Sequence, residues 1–173
     1  MTVILRKLKE SDHDRLAELA NNKNISKNLR DYFPDPYTLK DAESFIAYAI
    51  KEMPQLTFVI DLDSHFCGII SLGLKNDVYQ KNGEIGYWIG EPFWGKGVVT
   101  EAVNLILKYA FSELNLERIY GGIFSTNIGS MKVLEKNGFI KEGILKNTIF
   151  KNSELQDEHL YSILKDDYFS RTQ

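Results

Sequence analysis

Residues 93–103 read FWGKGVVTEAV: two glycines around one lysine, followed at once by an apolar run. Glycine serves where the backbone must bend sharply or where something must come close to it. The stretch lies between EIGYWIG, which reads as a strand, and VVTEAVNLILKYAFSEL, which has the apolar spacing of a helix. The first turn of a helix leaves N–H groups without intrahelical partners, and these, with the helix dipole, attract anions. A phosphate or pyrophosphate cradle is one reading of the stretch. A strand-to-helix turn that merely needs glycine is the other.

Two familiar phosphate patterns are excluded. G-x-x-x-x-G-K-[ST] does not occur. G-x-G-x-x-G fails at its third glycine, where Thr100 stands; Glu117 lies 20 residues after Gly97, where a ribose-binding acid is sought, but a hairpin precedes the stretch. A second stretch, NIGSMKVLEKNGF, follows after one further strand, ERIYGGIF. Two successive strand–helix units put both helix starts toward the same edge of a sheet. Asn127 and Ser130 then become candidate polar groups near the anion site, and each also suits a helix cap.

The elements that position these residues follow from periodicity. VILRKL reads as a strand, and SDHDRLAELANN as a helix capped by Ser11 or Asp12. NISKNLRDYFPDPYT, twice broken by proline, reads as a long connection or short helical turns. In TLKDAESFIAYAIKEM, Thr38 with Asp41 resembles a capping box. Ala42, Phe45, Ile46, Ala49, Ile50 and Met53 share one face, and Pro54 stops the helix. LTFVIDLDSHFCGIISLGL reads as a hairpin turning near residues 63–65. FIKEGILKNTIF and DEHLYSILKDDYF close the chain as two strands around KNSEL. The expected fold is α/β in the broad sense, a mixed α+β sheet of about seven strands flanked by about four helices.

The 173 residues suit a single domain spanning 1–173. A net charge of -3, from 21 basic and 24 acidic side chains, gives no support to a nucleic-acid partner. Cys67 is the only cysteine, so no internal disulfide or Cys-based metal site forms, and its apolar surroundings predict a buried, inert thiol. His13, His65 and His159 lie far apart without ligand spacing and read as surface or turn residues, so no metal is expected. Charges interrupt the opening MTVILRKLKESD, and no window approaches the ~18 apolar residues of a membrane span. The expectation is a cytoplasmic protein without membrane contact.

Taken together, EIGYWIGEPFWGKGVVTEAV and NIGSMKVLEKNGF resemble the GNAT superfamily of acyltransferases, whose hallmark on this turn is [QR]-x-x-G-x-[GA]. Here Trp94 stands at the Gln/Arg position, Gly97 matches, and Val99 holds the last small position. The G-K-G-x-x-T-E-A form is similar to the branch that acetylates ribosomal-protein N-terminal alanine and to the related spermidine acetyltransferases. The resemblance implies a parallel central strand pair that splays, with the pantetheine of acetyl-coenzyme A entering beside Trp88 and Ile89. It implies that the amides of Gly95, Lys96, Gly97, Val98, Val99 and Thr100, with Trp94 in the same turn, hold the pyrophosphate. It implies that Asn127 contacts pantetheine or phosphate, with Lys132 or Lys136 toward the adenosine end. Glu84 is the implied general base, working directly or through water. The usual general-acid Tyr is replaced by Leu134, which leaves Ser130 as candidate acid or coenzyme contact, with Tyr161 and Tyr87 as fallback donors.

The implied reaction is N-acetylation of a primary amine, a protein N-terminus or a small molecule such as spermidine. The contrasting class is a non-catalytic module that binds the CoA thioester. Dimers are common in the resembled branch. A lysine-like amine of pKa ~10.4 lies about 4.6 kcal/mol from its neutral form at pH 7, whereas an α-amine of pKa ~8 lies about 1.4 kcal/mol away. The α-amine therefore asks less of a base. Asp31, Tyr32, Asp35 and Asp157 would give the acceptor side an anionic, aromatic character.

Overall fold

The computed structural model describes residues 2–171. In chain order the main elements are β1 (Val3–Arg6), α1 (His13–Ala20), α2 (Lys23–Ser26), α3 (Leu39–Ala49), β2 (Thr57–Leu62) and β3 (His65–Leu74). There follow β4 (Asn82–Ile89), α4 (Val98–Ser112), β5 (Arg118–Phe124), α5 (Ile128–Lys136), β6 (Ile140–Lys151), β7 (Glu154–Leu164) and α6 (Lys165–Arg171). The seven strands are hydrogen-bonded in the order β1-β2-β3-β4-β5-β7-β6. The β4–β5 pair is parallel, and β1–β2, β2–β3, β5–β7 and β6–β7 are antiparallel. The chain packs as two compact units. One holds the described residues up to Ser71 together with Tyr87–Ala102; the other holds Leu72–Gly86 and the described residues from Val103 onward.

In the first unit the core forms where α1 and α3 bury their apolar stripes. Leu16, Leu19 and Ala20 on α1, and Ala42, Ile46 and Ala49 on α3, recur at helical spacing and are buried beside Val59, Phe66 and Ile69. Thr38 and Asp41 form the expected reciprocal cap. The Asp41 N–H donates to Thr38 Oγ1 (3.3 Å), and the Thr38 N–H donates to Asp41 Oδ2 (2.8 Å). The stripe stops earlier than its sequence predicts, because Ile50 and Met53 lie beyond the helix, the latter 90% exposed. The chain turns there because Glu52 accepts the N–H groups of Leu56 and Thr57 and the Thr57 hydroxyl. The hairpin turns at Asp63 and Ser64, both in the left-handed region as a tight two-residue turn requires.

In the second unit, Ile119 and Leu134 are fully buried, and Gly121 lies against Ile85 and Leu134. The β6–β7 hairpin turns at Asn152 and Ser153, again with positive φ at both. Two elements depart from expectation. The segment at 165–171 is helix rather than strand: Asp166 and Asp167 stand in its first turn, and Tyr168 is buried 5.5 Å from the Phe111 ring. With α2, a short helical turn of the kind expected there, it brings the helices among the described residues to six. His159 is not a surface or turn residue. It sits mid-strand on β7, half-buried, its Nδ1 without a hydrogen-bond partner among the described residues.

A charged cluster fastens β1. The Arg6 guanidinium donates to both oxygens of Asp12 (2.8 Å each) and to Asp61 Oδ2 (2.8 Å). Burial alone would raise the Asp12 pKa. The hydrogen bonds from Arg6 and from the Lys9 N–H outweigh it and hold the carboxyl below its ordinary value. A depressed folded-state pKa contributes stability above the unfolded value of ~3.9, and that contribution is lost as pH falls through the folded value. Thermal melts across pH 2–7 check this. The wild type is expected to lose stability below about pH 4, and Asp12→Asn to start lower and fall less steeply. Parallel curves for the two proteins would remove Asp12 from the acid transition.

Candidate active site

The glycine stretch is built from its flanks inward. Glu91 opens a short turn after β4, and the side-chain amides of Asn22 (2.7 Å) and Asn24 (3.3 Å) donate to its Oε2, holding its pKa low. Trp94 then donates its indole N–H to the Ile89 carbonyl (2.8 Å), stapling the loop to the strand it left. Gly95 (φ +73) and Gly97 (φ +77) both adopt the left-handed region, and a Cβ on either would meet nothing within 4 Å. Conformation, not crowding, demands glycine at both, and the backbone there is open to an approaching group. The first backbone bond of α4 runs from the Glu101 N–H to the Gly97 carbonyl (3.1 Å), so the N–H groups of Val98 and Val99 lie outside the helix's own ladder. The Val98 side chain is buried and anchors the helix start, which leaves its N–H as its polar contribution. Lys96 places its ammonium 6.0 Å from the Phe93 ring centroid, at the limit of a cation–π contact.

Trp88 and Ile89 lie on β4 just before this loop. Trp88 is half-buried, its ring edge-on to Phe33 at 5.9 Å, and Ile89 is buried. Across from them, β3 carries Gly68, where a Cβ would sit 2.2 Å from the Trp88 carbonyl oxygen and 2.7 Å from the Ile89 Cα. Backbone presses on backbone at that point. The position was not singled out from the sequence, where Gly68 reads only as one residue of an apolar strand.

In the second unit the parallel ladder is short. β4 pairs with β5 at Asn82↔Arg118, Gly83↔Ile119 and Glu84↔Tyr120, and the paired register ends there although both strands continue. Glu84 therefore stands at the last rung. Its Oε2 accepts from Lys75 Nζ at 2.7 Å, and the hydrogen bonds of Lys75 to Glu84 and then to Tyr120 raise the lysine's pKa. Lys75 and Arg118 both lie over the Tyr120 ring, at 5.6 and 5.0 Å, and Arg118 pairs with Glu142. A cavity of about 550 Å³ opens on this face, lined by Lys75, Tyr79, Asn82, Arg118, Tyr120 and Leu160.

At the start of α5, Asn127 accepts the Ser130 N–H at 3.2 Å, a side-chain N-cap. Leu134 is fully buried. Tyr161 is buried and donates its hydroxyl to Glu135 (2.9 Å); burial, with Glu135, pushes its pKa up to about 12. Of the expected acidic acceptor-side residues, Asp35 accepts from Ser26 and Asp157 is paired with Lys146 at 2.8 Å, while Tyr32 is 82% exposed. Cys67 is buried and its thiol pKa is raised by that burial, as its surroundings predict. Among the described residues no group of His, Cys, Asp and Glu could hold a metal ion, and no helix is long and apolar enough to cross a membrane.

The acetyltransferase (GNAT) domain matches residues 2–140 of the chain. The chain belongs to the GNAT family of acetyltransferases. The putative ribosomal N-acetyltransferase YdaF of Bacillus subtilis (strain 168) is 34% identical over 170 residues, covering 94% of this chain and 91% of that one. The probable N-acetyltransferase YjcK of the same organism is 47% identical over 83 residues, covering 48% of this chain and 46% of its own length. The crystal structure of spermidine N-acetyltransferase from Vibrio cholerae in complex with CoA and spermine superposes with a TM-score of 0.81 at 27% identity, over 96% of this chain and 98% of that one. This GNAT protein is an N-acetyltransferase, and its relatives include a putative ribosomal N-acetyltransferase and spermidine N(1)-acetyltransferases.

The two kinds of glycine in this GNAT chain separate experimentally. Gly97→Ala meets open space and is expected to cost only the left-handed penalty, about 1–2 kcal/mol. Gly68→Ala drives a methyl into backbone that has no flexible end to move aside, and is expected to cost clearly more. Urea midpoints of the two variants decide it; equal losses would mean that the approach at Gly68 relaxes freely.

Proposed function

We propose that the chain transfers an acetyl group from acetyl-coenzyme A to a primary amine, with a protein N-terminus as the first acceptor class. The observation that carries this is the loop at residues 95–99. Two left-handed glycines, a backbone open on the glycine side and the unladdered N–H groups of Val98 and Val99 suit a diphosphate. The fit is to backbone, since Trp94, at the place of a Gln or Arg, commits its one donor to Ile89. Bound there, the coenzyme supplies an acetyl thioester, a carbonyl already activated toward an amine.

The remaining work falls to this chain's own groups. β4 beyond Glu84, no longer laddered to β5, offers backbone to the pantetheine arm around Trp88 and Ile89. Asn127 and Ser130, at the start of α5, are the polar contacts proposed for the coenzyme, with the Ser130 hydroxyl as candidate proton donor. A carboxylate oxygen of Glu84 takes the proton of the amine, directly or through water. Glu84 Oε2 accepts from Lys75. An α-amine, about 1.4 kcal/mol from its neutral form at pH 7, asks less of any base than a lysine-like amine does, which is why it stands ahead of a polyamine.

Calorimetry with CoA and with acetyl-CoA tests the cradle, and thiol release with an alanine-initiated peptide and with spermidine tests the acceptor. Binding of both coenzyme forms and faster release with the peptide are expected. Glu84→Gln is expected to lower kcat by about a hundredfold and to flatten the acid limb of its pH profile. Absence of coenzyme binding would refute the proposal, and an unchanged profile would take the base role from Glu84.

A further inference from the structure

The charged side chains around Tyr120 are already matched: Lys75 with Glu84, and Arg118 with Glu142. Glu158 is not. It projects from β7 on the same face, since the β5–β7 register sets Tyr120 opposite Ser162, Gly122 opposite Leu160 and Phe124 opposite Glu158. Among the described residues no side chain donates to its carboxylate and no cation pairs with it, although the residue is half-buried.

The carboxylate leans back across β5. A Cβ on Gly122 would lie 2.1 Å from Glu158 Oε1 and 2.6 Å from its Cδ, so a side chain at 122 and the present position of Glu158 exclude each other. Glycine inside a strand weakens it and marks a close approach. Here the approaching group is a carboxylate. Gly122 lies two positions beyond Tyr120, the last residue of β5 laddered to β4, and opposite Leu160, which lines the cavity. Glu158 thus covers β5 where its bonding to β4 has just ended, beside an opening that already holds its other charges in pairs. A half-buried carboxylate without a partner is costly, and a cationic ligand group removes that cost.

We propose that Glu158 receives the ammonium of the acceptor amine and so selects a cationic primary amine as substrate. This rests on the transferase reading above and adds to it the group that docks the acceptor. An α-amine of pKa ~8 is about 90% protonated at pH 7, so the docking form is the abundant one. Gly122 belongs to the same device, because its missing side chain is what lets the carboxylate lie there.

The test uses Glu158→Gln, isosteric and uncharged, at saturating acetyl-CoA, with whichever of an alanine-initiated peptide and spermidine the wild type acetylates. KM for the amine is expected to rise by about tenfold to a hundredfold with kcat changed by less than about threefold, and CoA affinity by calorimetry unchanged. Gly122→Ala, which displaces the carboxylate, is expected to show the same split, and the double variant to be no worse than either single one. An unchanged KM in Glu158→Gln, or a loss confined to kcat, overturns the proposal. A fully additive double variant overturns the role of Gly122 in it. Acetylation of neither amine by the wild type overturns the transferase reading, and this inference with it.

Discussion

Every buried peptide group needs a partner, and this chain is organised around the places where its own ladders stop providing one. β4 and β5 exchange bonds over three rungs and then no longer pair, while both strands run on. α4 begins its internal ladder only at the Glu101 N–H. The N–H groups of Val98 and Val99 stay outside that ladder. The surrounding features fix the loop before it. Gly68 yields to the Trp88 carbonyl, Trp94 bonds back to Ile89, and Asn22 and Asn24 clamp Glu91. The tight backbone approach at Gly68 is tolerated because the surroundings determine it from several sides.

The electrostatics follow the same economy. Lys75 and Arg118 flank Tyr120, and each is matched by a carboxylate of its own, Glu84 and Glu142. Glu84 is thus tied to a lysine nine residues upstream, just past the end of β3.

Much of this was legible in the sequence wherever the signal is local. The alternation of the strands, the capping box at Thr38 and Asp41, the turn residues of the hairpins and the glycines before α4 all express preferences of short segments, and the structure agrees with them. What stayed hidden depends on register. Lys75 is an ordinary loop-edge lysine until β3 and β4 are aligned, and Gly68 is one small residue among apolar ones until β4 lies against it. The Gly121-Gly122 pair did carry a sign, since glycine inside a strand announces close approach, but only the β5–β7 alignment says that Glu158 is what approaches. The final helix was missed for a related reason. Tyr168 and Phe169 follow closely on the apolar run of β7, and it is their packing on Phe111 that shows the chain has turned into a helix.

The staple between Trp94 and Ile89 has an optical side. The chain holds two indoles. One, at position 88, is lodged against Phe33; the other, at 94, is 43% exposed at the edge of the glycine turn, with its ring nitrogen tethered. Emission from the second answers to whatever alters polarity or tether length beside residues 95–97, against a steadier background from the first. The molecule carries its own dye at the spot where an anion would arrive.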